Sequence, residues 1–182
     1  MQKPIVRISI PELGGTLVDV GSGGEAVIAR ACGPGITCLD VCKEEIQEAK
    51  RTGVTPELVL CDACNMPFGR KTFDAATLFF SLMYIKTKRR KRALLREIKR
   101  VLKPGGKLHL WGTVVEEKPD PYVVEVKAVL PDGKAISAGY GVGGKWKKQN
   151  AWLVRKLAEE MGLEVAVDKS HDDLLEFILK AL

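Results

Sequence analysis

The sequence predicts an α/β fold in a single domain over residues 1–182: an open, mostly parallel sheet of seven strands with helices on both faces, its last strand antiparallel, and an extra β-hairpin inserted after the fifth strand. Three observations carry this expectation. Short apolar runs alternate with segments of helical periodicity along most of the chain. The stretch Leu17-Val18-Asp19-Val20-Gly21-Ser22-Gly23-Gly24-Glu25 leads a hydrophobic strand through a glycine turn into a helix-like segment. Asp19, Asp40 and Asp62 stand at the ends of three successive strands, spaced by 21 and 22 residues.

In chain order, Leu17–Val20 reads as the first strand, Glu25–Ala31 as a helix, Thr37–Leu39 as the second strand and Lys43–Arg51 as a helix. Leu58–Cys61 and Ala75–Phe80 are the third and fourth strands. Ala93–Leu102 sets Leu94, Leu95, Ile98, Val101 and Leu102 at the spacing of one buried helix face. The stop signal Lys103-Pro104-Gly105-Gly106 then feeds the fifth strand, Lys107–Trp111. Tyr122–Leu130 and Lys134–Val142 are extended segments joined at Pro131-Asp132-Gly133, which reads as the inserted hairpin over about 122–142. Gly141–Gly144 loosens the chain before a helix at Lys148–Met161, and Leu163–Val167 and Leu174–Ala181 close the sheet. The 16 residues before the first strand are assigned no element.

With 46% hydrophobic and 29% charged residues the composition is that of an ordinary soluble domain, and no apolar run approaches the length of a membrane span. The start of the chain lacks the basic-then-apolar pattern of a secretory signal, so a cytoplasmic protein is expected. Five cysteines, Cys32, Cys38, Cys42, Cys61 and Cys64, crowd the first third of the chain, and an odd count speaks against a closed disulfide framework. Cys38-x-x-x-Cys42 with Cys61-x-x-Cys64 could supply four zinc ligands. The favoured reading is reduced thiols lining a pocket, with no metal. The net charge of +6 is mostly local and does not by itself imply a nucleic-acid partner.

In an open parallel sheet, ligands bind outside the carboxyl ends of the strands, so the three acids converge on one crevice. A glycine turn there lets bare backbone approach a nucleotide-type ligand. Carboxylates at Asp19 and Glu25 would repel a pyrophosphate but suit a ligand carrying an ammonium and a sulfonium, which favours S-adenosylmethionine. Asp40 can accept from both ribose hydroxyls, Asp62 can meet the exocyclic amine of an adenine, and Asp19 can balance positive charge. The same turn, read as Gly21-x-Gly23-x-x-Ala26 with Asp40 further on, also fits a dinucleotide fingerprint, which keeps an NAD-binding reading as the alternative.

Over roughly residues 16–112 the chain resembles the class I S-adenosylmethionine-dependent methyltransferases, a Rossmann-like family, and especially the compact type that includes ubiquinone and menaquinone biosynthesis enzymes. The resemblance rests on Val18-Asp19-Val20-Gly21-Ser22-Gly23-Gly24, Leu39-Asp40-Val41, Cys61-Asp62-Ala63-Cys64-Asn65-Met66-Pro67-Phe68, Phe73-Asp74 and Arg100-Val101-Leu102-Lys103-Pro104-Gly105-Gly106, in that order. It implies that Gly21, Ser22 and Gly23 lie against the methionine part of the cofactor, Asp40 against the ribose, Asp62 and Ala63 against the adenine, and the backbone near Phe79 at the methionine end; Asp19 and Val41 complete the candidate cofactor-binding set. It also implies that the loop after the fourth strand opens onto the methyl acceptor. One position departs: Glu25 stands where the family usually has a third glycine, at what reads as a helix start.

Displacement of a methyl group from a sulfonium needs positioning more than an obligatory base, and no catalytic residue is assigned. Ser81 and Tyr84, in Phe79-Phe80-Ser81-Leu82-Met83-Tyr84, could offer hydroxyls to an acceptor. His109, inside the fifth strand, reads as structural and His171 as exposed. The run Lys86-Thr87-Lys88-Arg89-Arg90-Lys91-Arg92 suggests an RNA contact through Lys86, Lys88, Arg89, Arg90, Lys91 and Arg92, against the plainer reading of a solvated helix start. Cover for the acceptor site must come from the hairpin or from a second subunit, so a homodimer is one expectation. A small-molecule acceptor is slightly favoured over RNA or protein. The competing reading from another class is an RNA-binding module without methyltransferase activity, its cofactor turn spoiled by Glu25.

Overall fold

The computed structural model describes residues 4–116, 121–144 and 148–182. Its centre is a mixed sheet built from β2 (Leu17–Val20), β3 (Thr37–Asp40), β4 (Glu57–Leu60), β5 (Phe73–Phe79), β6 (Leu102–Thr113), β9 (Leu163–Asp168) and β10 (Leu174–Ala181), in the order β4-β3-β2-β5-β6-β10-β9. The pairings from β4 through β6 are parallel, whereas β10 runs antiparallel to both β6 and β9. The strand order reverses beside β2, which puts a crevice at the carboxyl ends of β2, β3 and β5.

Helices cover both faces. On one side, α3 (Lys88–Val101) buries Leu94, Leu95, Ile98 and Val101, and α4 (Ala151–Glu160) buries Leu153, Val154 and Leu157; these form one core with Val18, Val20, Leu108 and Leu110. On the other side, α1 (Val27–Cys32) joins Leu17, Cys38, Phe79 and Trp111 in a second core, and α2 (Lys43–Arg51) adds Ala49. Alternation along β2 thus sends Leu17 and Asp19 toward α1 and Val18 and Val20 toward α3.

Residues 5–9, left without an element by the sequence reading, form β1 (Ile5–Ser9). Only Val6 and Ile8 are buried, the period-two pattern of a half-buried strand, but its partner lies over a hundred residues away. β1 pairs in parallel with β7 (Tyr122–Val129), and β7 pairs antiparallel with β8 (Ala135–Val142), giving a separate three-stranded sheet in the order β1-β7-β8. The hairpin is therefore not a free flap: Val124, Val126, Ala128, Ile136 and Ala138 join Val6, Ile8 and the α1 side chains in one core. The chain covers its own crevice from the α1 face.

Other boundaries moved for local reasons. The helix expected from Glu25 begins at Val27, because Ala26 adopts φ +45° and breaks the helical path before it. The helix expected from Ala93 begins at Lys88, since Thr87 caps it by accepting the Arg90 N–H, so the basic run is the helix's own first turn and a half. Asn150 caps α4 in the same way through the Leu153 N–H at 2.7 Å, which delays that helix to Ala151. Among the described residues no helix is long and apolar enough to cross a membrane.

Because β1 is held by burial of alternate side chains, Ile8→Ala is expected to destabilise the protein by about 2–4 kcal/mol, read as a lowered urea midpoint. A loss of a few tenths would mean that the strand is incidental to the fold.

Candidate functional site

The turn after β2 is built from carbonyls and carboxylates that consume its own N–H groups. Gly21 and Ser22 donate to the Leu39 carbonyl at 2.8 and 3.0 Å. Gly23 donates to Asp40 Oδ2 at 3.0 Å and Gly24 donates to Glu45 Oε2 from α2. Asp40 Oδ1 meanwhile accepts the Cys42 N–H at 2.9 Å, so one carboxylate ties the turn to the start of α2. The bare donors expected from the sequence are thus not available, and a pyrophosphate would find carboxylates where a phosphate site presents N–H groups. The short α1 starts beyond a left-handed Ala26.

The turn interlocks with the end of β5. Phe80 has φ +55°, an uncommon conformation for a bulky residue, and it swings the chain so that Ser81 Oγ donates to the Val20 carbonyl at 2.8 Å. Ser81 then fills the space beside Gly21, where an added Cβ would lie 2.7 Å from the Ser81 Cβ. Gly21 is therefore required twice, by its φ of +72° and by this contact.

Asp19 sits beneath the turn and is 1% exposed. Its Oδ1 accepts from Thr77 Oγ1 at 2.6 Å, whereas Oδ2 has no hydrogen-bond partner among the described residues. Burial raises its pKa to about 7; the Thr77 hydrogen bond opposes the rise and the neighbouring Asp40 charge adds to it. Ser22 Oγ is also buried without a hydrogen-bond partner among the described residues. An unsatisfied carboxylate oxygen and hydroxyl beside a glycine turn fit a ligand that brings a cation and hydrogen-bond donors to this place.

The aromatic residues around this point close it from above. Phe79, 5% exposed, packs edge-on to Phe80 and Tyr140 and at a tilt to Trp111, and Tyr140 of β8 stacks on Phe80 with ring centroids 5.0 Å apart. Burial raises the Tyr140 phenol pKa, with Asp19, Tyr84, Glu25 and Glu45 each adding to the rise, which places that phenol among the acids of the crevice. Burial likewise raises the Tyr84 phenol, and a backbone hydrogen bond with Gly141 opposes it. The hairpin's return strand thus lies at the carboxyl end of the sheet. Tyr140 and Glu45 were not singled out by sequence; Tyr140 had the signal of a lone aromatic among glycines, whereas Glu45 had none beyond lying in a helix's first turn.

The remaining candidate residues divide. Val41 is 72% exposed beside Asp40, an apolar surface at the crevice mouth. Ala63 is half-buried against the α3-side core. Asp62 is already partnered in the ligand-free protein: both of its oxygens receive Arg90 Nη2, at 2.9 and 2.8 Å, and Oδ1 also accepts the Cys64 N–H. The Arg90 hydrogen bond accordingly holds the Asp62 carboxyl below its ordinary pKa. Glu25 does not crowd the turn, since its side chain is more than half exposed and lies 3.9 Å from Arg30.

The basic run divides between paired and unpaired cations. Arg90 pairs with Asp62, Arg92 pairs with Glu160 of α4, and Lys91 is 2% exposed with its ammonium donating to the Leu82 carbonyl. A helix that begins at Lys88 must turn some of its first residues inward, and only Lys86, Lys88 and Arg89 of the named six remain as outward cations. His109 stacks on Trp111, and burial with the Lys107 charge lowers its pKa to about 4, so it is a neutral packing residue. His171 is exposed, its Nδ1 2.9 Å from the Lys169 carbonyl. The cysteines are unpaired, and among the described residues no group of His, Cys, Asp and Glu side chains is gathered for a metal ion.

A family profile described as "Methyltransferase domain" matches residues 18–110, about half of the chain and the segment that holds the turn and all three strand-end acids. The chain belongs to the class I S-adenosylmethionine-dependent methyltransferase family. The Bos taurus protein described as "Probable tRNA methyltransferase 9B" is 30% identical over 124 residues, 68% of this chain but 26% of that protein. The ubiquinone/menaquinone biosynthesis C-methyltransferase UbiE of Cupriavidus pinatubonensis is 43% identical over 121 residues, 62% of this chain and 48% of that one. This methyltransferase chain thus spans about a quarter to a half of the length of those relatives. Among solved structures, a SAM-dependent methyltransferase from Aquifex aeolicus superposes with a TM-score of 0.68 at 18% identity, covering 94% of this chain and 84% of that one, which shows the shared fold.

Two outcomes follow from the site. The folded-state pKa of Asp19 lies above its ordinary 3.8, so the protonated acid stabilises the fold below that value and this contribution is lost as pH rises through about 7. Asp19→Asn, neutral throughout, should therefore raise the melting temperature of the ligand-free protein at pH 8, by a stability gain on the order of a few kcal/mol, and leave it nearly unchanged at pH 4. Gly21→Ala should cost about 1–3 kcal/mol in denaturant melts through its backbone and the Ser81 contact.

Proposed function

We propose that this chain binds S-adenosylmethionine in the crevice above β2, β3 and β5 and transfers its methyl group to an acceptor held beneath the hairpin. The observation that carries the reading is the unpartnered, buried Asp19 Oδ2 beside a turn whose N–H groups are already spent: the site lacks a cation and offers no free turn N–H to a phosphate. The cofactor supplies a methyl group on a positively charged sulfur, so the reacting atom arrives already activated. Asp19 and Ser22 would meet its charged amino-acid end, with Gly21 and Gly23 allowing close approach. Asp40 would exchange its turn hydrogen bonds for ribose hydroxyls, and Val41 and Ala63 would lie against the adenine. Asp62 would reach an adenine amine through lone pairs that Arg90 leaves open, or after Arg90 withdraws.

The finer reading of the acceptor favours a small molecule. Tyr140 stacked on Phe80, and the Tyr84 to Gly141 hydrogen bond, narrow the space above the methionine end in a way that suits a compact substrate and excludes water. The related proteins named above are described as a ubiquinone/menaquinone biosynthesis C-methyltransferase and a probable tRNA methyltransferase.

Calorimetric titration of the folded protein with S-adenosylmethionine should give one binding event, and Asp40→Ala should weaken it by about 1.5–3 kcal/mol, the range for hydrogen bonds to a charged group. Absence of heat with the cofactor and with its demethylated product would end the proposal. Tyr140→Ala should alter turnover with an acceptor more than cofactor affinity; the reverse result would place Tyr140 on the cofactor.

A further inference from the structure

A cavity of about 620 Å³ lies between the first turns of α3 and α4, at the carboxyl side of the sheet but on the face opposite α1 and the hairpin. That volume falls within the roughly 300–1,000 Å³ of small-ligand sites. The acceptor site proposed beneath the hairpin lies on the other face and does not use it. Lys86, Lys88 and Lys148 surround it, and Trp152 presents an indole that is 57% exposed, an unusual position for the largest side chain on a soluble helix. Lys156 Nζ sits 4.9 Å from the Trp152 ring centroid.

The wall supplies a second, independent sign of a ligand. Gln149 is 1% exposed; its Nε2 donates to the Thr113 carbonyl at 3.0 Å, while its Oε1 has no hydrogen-bond partner among the described residues. The acids do not cancel the lysines. Glu116 is the one carboxylate among the lining residues, and it accepts from the Asn150 side-chain amide that caps α4. Lys91, also in the lining, is tied to the Leu82 carbonyl and does not count toward the exposed charge.

We propose that this cavity binds a nucleoside phosphate. Lys86, Lys88 and Lys148 hold the phosphate, the base lies on the Trp152 indole, and Gln149 Oε1 accepts from a base N–H. Cations, a flat aromatic platform and a fixed acceptor in one place match the three parts of that ligand, whereas an acidic peptide would use only the first. A free nucleotide and a nucleotide within a single-stranded RNA present the same chemistry. The site concerns binding alone and stands apart from methyl transfer, so it is measured without S-adenosylmethionine.

The test uses the full chain with a fluorescein-labelled short oligouridylate, followed by anisotropy, and with uridine monophosphate as competitor. The oligonucleotide is expected to bind, with affinity falling steeply between roughly 50 and 200 mM salt. Lys86→Gln/Lys88→Gln/Lys148→Gln should weaken it about tenfold or more, and Trp152→Ala about fivefold or more, with unchanged circular dichroism and melting temperature. Trp152→Phe, which keeps an aromatic platform, should retain most of the affinity while removing the ligand-induced change in tryptophan fluorescence. Displacement by the monophosphate assigns the site to a single nucleotide; binding of the oligonucleotide alone assigns it to an RNA strand, and both support the proposal. Failure of both probes to bind, equal affinity of the variants and the parent, or equal competition by an oligoglutamate peptide would overturn it.

Discussion

The arrangement of the site depends on a carboxylate that the fold buries without fully satisfying. Asp19 lies at the carboxyl end of β2, under a turn whose own N–H groups are held by Leu39, Asp40 and Glu45. Had those donors been free, one could have turned to Asp19 and the turn would also have suited phosphate. Because they are spent, Asp19 keeps an unpartnered oxygen and a pKa pushed up to about 7, a state that a cationic ligand relieves. In the proposed function, the cost of the buried acid in the ligand-free protein would be the source of selectivity for a positively charged cofactor.

The second constraint is the interlock between β2 and β5. Strain at Phe80 places Ser81 against Gly21 and turns the Phe80 ring onto Tyr140, so one unusual backbone conformation fixes both the floor and the roof of the crevice. The small sheet of β1, β7 and β8 then holds Tyr140 in place by burying its apolar face against α1. Ligand site and hydrophobic core are in this sense one structure, since the residues that close the crevice belong to the same cluster that carries the covering sheet.

Much of this was legible in the sequence because it depends on local pattern. The strands from Leu17 to Trp111, the Lys43–Arg51 helix and the hairpin at Pro131-Asp132-Gly133 follow from periodicity and turn chemistry, and the strand-end acids follow from their spacing. What was missed depends on partners distant in the chain. β1 makes sense only beside β7, and the pairing of Asp62 with Arg90, 28 residues on, has no local signal. The inward turn of Lys91 within the basic run has a related cause: a helix started one residue after Thr87 buries it, a rotation that the charges themselves do not reveal. The turn's N–H groups show the limit of motif reading, because the same glycines serve an anion or a cation according to which side chains reach them first.

The most direct test of the central claim is the proton balance of cofactor binding. Calorimetric titration with S-adenosylmethionine near pH 6, repeated in buffers of different ionisation enthalpy, counts the protons exchanged. With an Asp19 pKa of about 7 in the free protein, a cation bound against it must drive off its proton, so close to one proton should be released per site, and Asp19→Asn should abolish the release. Cofactor binding without proton release from the parent protein, or the same release from the Asp19→Asn variant, would contradict the account.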